Sequence, residues 1–207
     1  MATLTGNPPD DSRPVTERYG RILQAFHWSV AALVLTAVAL GLMLDNWPRG
    51  HATRETVISI HKSLGLTVLL FAFARVIWLR RLPRPAPAAR LAVWERRLAG
   101  IVHKLLLIML FAMPLTGMLL SQAVGKPVAL WGIGPLPQIV PFDPAFPANS
   151  KIWAIAGGVL HTLVFKLTLF AALTLHILGA LKHALIDRDQ AMFRRMWGQS
   201  TTGREPD

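Results

Sequence analysis

The sequence predicts an all-α integral membrane protein, a bundle of four transmembrane helices with both termini in the cytoplasm. Three observations predict it. Of the 207 residues, 53% are hydrophobic and only 16% charged, with a mean hydropathy of +0.42; ordinary soluble domains carry about 25% charged residues. The apolar residues fall in four blocks, each reaching the roughly 20 residues that a helix needs to cross a bilayer. The basic residues gather at alternate connections, and this bias orients the blocks.

The blocks lie near 22–44, 57–79, 98–120 and 152–181. Each is low in charge and flanked by Arg, Lys, Pro or Gly. An apolar strand would be shorter, and a soluble helix would keep one polar face. Segment 1–16, "MATLTGNPPDDSRPVT", has almost nothing to bury and is expected to be a disordered cytoplasmic tail. Its polarity also argues against a cleavable signal peptide. Residues 17–197 are expected to form one four-helix domain, and 198–207 a flexible C-terminal tail.

The first connection, "DNWPRGHATRET", is short and external. The second, "RRLPRPAPAARLAVWERR", is rich in Pro and Arg and is cytoplasmic. The third, 121–151, carries six prolines, which forbid a long regular helix, so it should fold as a cap over the outer surface. The segment "IDRDQAMFRRMW" sets Met192, Phe193, Met196 and Trp197 among arginines and suits a short interfacial helix.

The net charge of +11 does not call for nucleic acid. Arg13, Arg18 and Arg21 precede the first helix. Arg80, Arg81, Arg84, Arg90, Arg96, Arg97 and Lys104 surround the second connection. Lys182, Arg188, Arg194, Arg195 and Arg204 follow the fourth helix. Topology and anionic membrane lipid account for that distribution. With no cysteine, disulfides, thiolate-held iron–sulfur clusters and covalent c-type haem are excluded.

The chemistry lies in the histidines. Ionisable groups inside a membrane are costly and mark function by default. His61 falls near the outer end of the second helix. The fourth helix runs from outside to inside and carries His161 in its outer half and His176 in its inner half. These two are 15 residues apart, which places them about 60° apart around the helix and about 22 Å apart along it. His61 matches His161 in depth, and either His27 or His103 matches His176. Two imidazoles facing one another across a bundle are what a six-coordinate haem iron requires. Zinc would need three or four protein ligands at one depth. No Asp or Glu lies inside a predicted membrane segment, which argues against a carboxylate-based proton pump or cation transporter.

Other residues admit two readings. Gly65 and Gly157 lie four residues from His61 and His161, where they could clear space for a porphyrin or let helices pack closely. Arg75 suits a haem propionate or acts as a snorkelling anchor. His183 could neighbour a haem, contact quinone or sit at the interface, and His51 is expected in a solvated loop. Lys166 falls near mid-membrane, about 140° from His161 on an ideal helix. It lines a wet cavity or binds another polar group.

The segments "RYGRILQAFHWSVA", "SIHKSLGLTVLLFAFARVIW", "HKLLLIMLFAMPLTGMLLS" and "LHILGALKHALIDRDQAMFRRM" resemble successive signatures of the prokaryotic cytochrome b561 family. "PLTG" and "LKHxxIDRD" are its more specific motifs. The resemblance implies a four-helix protein of the bacterial inner membrane with two non-covalent b-type haems. By motif position it implies His27 and His176 as ligands of the inner haem, and His61 and His161 as ligands of the outer one. It also implies electron exchange with quinone, and one branch oxidises superoxide and reduces ubiquinone. His103 and His183 fall where such a branch would have its quinone site. Two departures concern the branch: Ala184 stands where many members have a second adjacent His, and "GGVLHTLVFK" lacks the acidic residue that often follows the outer histidine.

The expected function is superoxide oxidation coupled to ubiquinone reduction. An alternative is an electron relay between quinone and a periplasmic haem protein or dehydrogenase. A third reading, from another class, is a transporter or metal-permeation protein.

Overall fold

A computed structural model describes residues 21–79 and 92–188. The N-terminal tail, most of the Arg-rich second connection, the interfacial helix and the C-terminal tail expected from sequence lie outside the described residues. Among the described residues there are four long apolar helices: α1 (Arg21–Asn46), α2 (Arg54–Leu79), α3 (Val93–Ala123) and α4 (Pro147–Ile186). Each contains one of the blocks and runs a little beyond it, because helix ends continue into polar flanks after the apolar run stops. That extension puts Asp45 on α1 rather than in a connection.

Helix α3 begins at Ala92, whose N–H donates to the Glu95 carboxylate at 3.0 Å, satisfying one of the donors that a helix start leaves free. Pro114 sits inside α3 and removes one hydrogen bond of the helical ladder. Nearby carbonyls take side-chain donors: the Thr116 hydroxyl donates to Ala112 at 2.6 Å and to Met113 at 3.1 Å.

Helix α4 is continuous but not uniform. A 3-10 turn over Pro147–Ser150 leads into α-helix over Lys151–Val159. A π-turn follows over Leu160–Val164, then α-helix over Phe165–Leu181 and a second π-turn over Lys182–Ile186. The i→i−5 bonds that define the two π-turns run from Phe165 N–H to the Leu160 carbonyl and from Asp187 N–H to the Lys182 carbonyl. Such turns absorb one extra residue and recur at functional sites.

Helix α1 packs on α2, α2 on α3 and α3 on α4, while the backbones of α1 and α4 make no comparably close approach. The joint between α3 and α4 has a visible cause. A Cβ on Gly157 would stand 2.7 Å from the Leu120 backbone nitrogen, so glycine is what lets α4 approach α3. Of the two uses considered for Gly157, the structure therefore assigns helix packing. The space beside it is filled by α3. Gly65 has only Pro114 Cβ near it, at 4.0 Å.

The connection after α3 folds as the expected irregular cap. It has one isolated bridge, Ala129 to Pro135. It is pinned to α2 by buried Ser63, which donates to the Ala129 carbonyl and accepts from Trp131 N–H at 3.0 Å. Gln122, at the end of α3, donates to Pro137 and accepts from the N–H groups of Ile139 and Val140. Trp131 has φ 50°, a conformation rare for bulky residues. Its indole N–H donates to Thr67 at 3.0 Å, so bonds at both its backbone and its ring hold it there.

Candidate functional site

The end of the bundle that carries the cap brings His61 of α2 and His161 of α4 face to face. Their ring centres are 6.1 Å apart and their planes cross at 79°. Nδ1 of His61 lies 2.9 Å from the Ala37 carbonyl of α1. Nδ1 of His161 lies 2.9 Å from the Met113 carbonyl of α3. A carbonyl only accepts, so each ring carries its proton on Nδ1 and keeps the Nε2 lone pair for a ligand. Orienting contacts of this kind are what metal-binding histidines use. Two glycines that sequence reasoning missed clear the rings. A Cβ on Gly41 would stand 3.3 Å from His61 Cε1, and one on Gly117 would stand 2.9 Å from His161 Cε1. The signal for Gly117 was its place in "PLTG": the proline loosens α3 and the glycine one turn later admits the ring.

Toward the opposite end of the bundle His27 of α1 and His176 of α4 also meet with ring centres 6.1 Å apart, at 61°. His103 of α3 lies closer still to His176, at 5.1 Å. Arg75 of α2 is within electrostatic reach of His27, His103 and His176.

A haem iron between two imidazoles sets a distance. Two imidazoles that held one iron would need metal–nitrogen bonds of about 2.0–2.1 Å, which, with the distance from each nitrogen to its ring centre, would put the ring centres a little over about 6 Å apart. The His61–His161 and His27–His176 separations meet that span, and the His103–His176 separation is shorter. Among the described residues no three His, Cys, Asp or Glu side chains gather to hold a bare metal ion. The donor sets fit a cofactor that brings its own equatorial nitrogens.

His183 pairs with Asp187 at the end of α4. Its Nδ1 lies 2.6 Å from Asp187, in a cluster where Lys182 bridges Asp187 at 2.8 Å and Glu95 of α3 at 2.7 Å. The Lys182 ammonium first, and His183 second, hold the Asp187 carboxyl below its ordinary value of 3.8. His51 is exposed, in edge contact with Trp47.

Lys166 has a partner that sequence did not reveal: its ammonium lies 2.8 Å from the Asp45 carboxylate of α1. At the cap, Lys62 donates to the Pro127 carbonyl and Lys126 pairs with Glu55 at 2.7 Å. These groups line an open pocket of about 290 Å³ together with Ile58, Ser59 and Ala129.

Comparison with known proteins agrees with this architecture. The sequence pattern of the prokaryotic cytochrome b561 family matches residues 18–199. The chain is 33% identical to cytochrome b561 homolog 2 of Escherichia coli K12, over 90% of this chain and 94% of the relative. It is 26% identical to cytochrome b561 homolog 1 of the same organism, over 86% and 97%. It is 24% identical to the probable superoxide oxidase CybB of Yersinia pestis, over 87% and 96%. The chain is thus a multi-pass bacterial membrane protein of the prokaryotic cytochrome b561 family, whose members bind haem b and transfer electrons.

Proposed function

We propose that the chain is a di-haem b cytochrome of the bacterial inner membrane that moves electrons between a donor on the cap side and quinone at the opposite end. The reaction we assign is superoxide oxidation coupled to ubiquinone reduction. Two superoxide ions each give up one electron and leave as dioxygen. Ubiquinone takes the two electrons and two protons to become ubiquinol.

The observation that carries this reading is the pair of imidazole pairs, at two depths of one bundle and with the same 6.1 Å separation. His61 and His161 would hold one haem b, and His27 and His176 the other. Bound haem supplies a reversible one-electron iron couple. The Lys/Arg bias puts the cap outside and both termini in the cytoplasm.

Around those sites the chain's own groups have separate tasks. Lys62, which follows His61 in the chain, and Lys126 border the open pocket at the cap and would draw a small anion toward the outer pair. The Arg75 guanidinium would hold a propionate or a quinone carbonyl. His103 would orient quinone by a hydrogen bond. His183, at the surface with Asp187, would serve as the entry for the protons that ubiquinone consumes.

Stopped-flow mixing of the oxidised, purified protein with superoxide tests the reading. The expected result is rapid, salt-sensitive reduction of the haem bands, reversed on adding ubiquinone. If superoxide leaves the bands oxidised while a reduced periplasmic protein or quinol reduces them, the protein is instead an electron relay. One observation favours that second reading. The 33% and 26% identical relatives carry names without a substrate, and superoxide enters only in the name of the 24% identical relative. Absence of haem from the purified protein would return the transporter reading.

A further inference from the structure

Lys166 and Asp45 have no task in the reaction just described, yet the fold brings them together beside the outer imidazole pair. Asp45 follows Gly41 by one helical turn on α1, so the two share a face. Gly41 is the residue that abuts His61. On an ideal α-helix Lys166 would point about 140° away from His161. The π-turn over Leu160–Val164 takes up one residue, and the angle falls to about 40°. Lys166 thereby reaches Asp45 at 2.8 Å, across a seam where the α1 and α4 backbones stay apart.

We propose that the Lys166–Asp45 pair is a fixed dipole that sets the redox potential of the haem held by His61 and His161. This rests on the reading of His61 and His161 as ligands. A ferric site carries one more positive charge than a ferrous site. A nearby carboxylate therefore stabilises the ferric form and lowers the midpoint potential, and a nearby ammonium raises it. Ionisable pairs are retained inside membranes where they serve function. The two charges act in opposite senses, and their balance sets the potential of the cap-side site.

The test is a redox titration of the purified, haem-loaded protein, following each haem's absorption. Asp45→Asn leaves the Lys166 cation alone beside the site. A unit charge about 10 Å away, at an effective dielectric constant of about 20, moves a one-electron equilibrium roughly tenfold, or 59 mV. The expected result is a rise of that order in the potential of the cap-side haem, with the other haem unchanged. The exchange Asp45→Lys with Lys166→Asp keeps the ion pair and reverses the dipole, so it should shift that potential as well. A pair that only ties α1 to α4 would leave the exchanged protein at the wild-type potential. That result, or equal shifts in both haems, overturns the proposal. If Asp45→Asn fails to hold haem, the exchanged protein decides alone. His161→Ala identifies which band is the cap-side haem. Retention of both haems in that variant would overturn the ligand reading itself, an outcome separate from any shift in potential.

Discussion

Gly117 on α3 lies directly against the imidazole of His161 on α4. A methyl group added to it would stand 2.9 Å from Cε1 and 3.2 Å from Nδ1 of the ring. The ring cannot yield freely, because Nδ1 is held at 2.9 Å by the Met113 carbonyl. Gly117→Ala should therefore push the ring off its Nδ1 contact. Loss of a ligand-orienting contact typically weakens metal binding about 10–100-fold. We expect the variant to keep its helical content and the inner haem while losing occupancy of the cap-side haem. Haem-to-protein ratio and circular dichroism measure the two together.

Ligation itself is tested by removing each imidazole. His61→Ala or His161→Ala should each abolish the cap-side haem, and His27→Ala or His176→Ala the other. His103→Ala should retain both, since the 5.1 Å between its ring and that of His176 is short of the bis-imidazole span. Low-temperature spectra of the five variants read this out. Loss of a haem in His103→Ala, with both retained in His27→Ala, would exchange the roles of those two residues.

Much of this architecture is legible in the sequence, for physical reasons that differ by feature. The four spans were readable because a bilayer demands uninterrupted apolar length. The meeting of His61 with His161 followed from depth alone, which residue number tracks in a straight helix. The partner of Lys166 did not, because angular position depends on helix register. The π-turn at Leu160–Val164 shifts everything after it by one residue. Nothing in "LHTLV" announces that turn. Asp45 was hidden for a second reason: it lies one residue beyond the first apolar block, whereas α1 continues to Asn46. The use of Gly157 stayed open because spacing cannot tell a cleared cofactor face from a close helix crossing. Only the position of Leu120 decides it.

The cap depends on Ser63, which is 2% exposed and both donates and accepts across to Ala129 and Trp131. Ser63→Ala strands a carbonyl and an N–H together. Leaving a buried polar group unsatisfied costs about 1–3 kcal/mol. The cap should loosen over α2 while the helices stay intact, and hydrogen exchange at Trp131 N–H should accelerate. Unchanged protection at that amide would mean that the indole bond to Thr67, with the Gln122 and Lys62 contacts, holds the cap without Ser63.

The end of α4 should respond to acid. Lys182 and His183 hold the Asp187 carboxyl below its ordinary value. A group whose folded value is depressed stabilises the fold above its ordinary value, and that contribution is lost as pH falls through the folded value. The contacts of Asp187 with Lys182 and His183 should therefore persist at neutral pH and release only below 3.8. Hydrogen exchange of 182–188 against pH follows this. Asp187→Asn should show the acid level of protection at neutral pH.

The orientation of the molecule decides which end meets the donor. The connections at the cap end carry Arg49, Arg54, Lys126 and Lys151, whereas the opposite flanks carry Arg13, Arg18, Arg21, Arg80, Arg81, Arg84, Arg90, Arg96, Arg97, Lys182, Arg188, Arg194 and Arg195. Cytoplasmic connections carry the excess of Lys and Arg, so both termini should face the cytoplasm and the cap the periplasm. A reporter fused after residue 207 should be active as a cytoplasmic fusion, and one inserted within 125–149 as a periplasmic fusion. The consequence reaches the chemistry. With this orientation Lys62 and the His61–His161 pair face the periplasm, while Arg75, His103 and the His183–Asp187 contact face the compartment from which quinone would take its protons. The reverse result would place the anion pocket in the cytoplasm and require quinone reduction to draw protons from the periplasm.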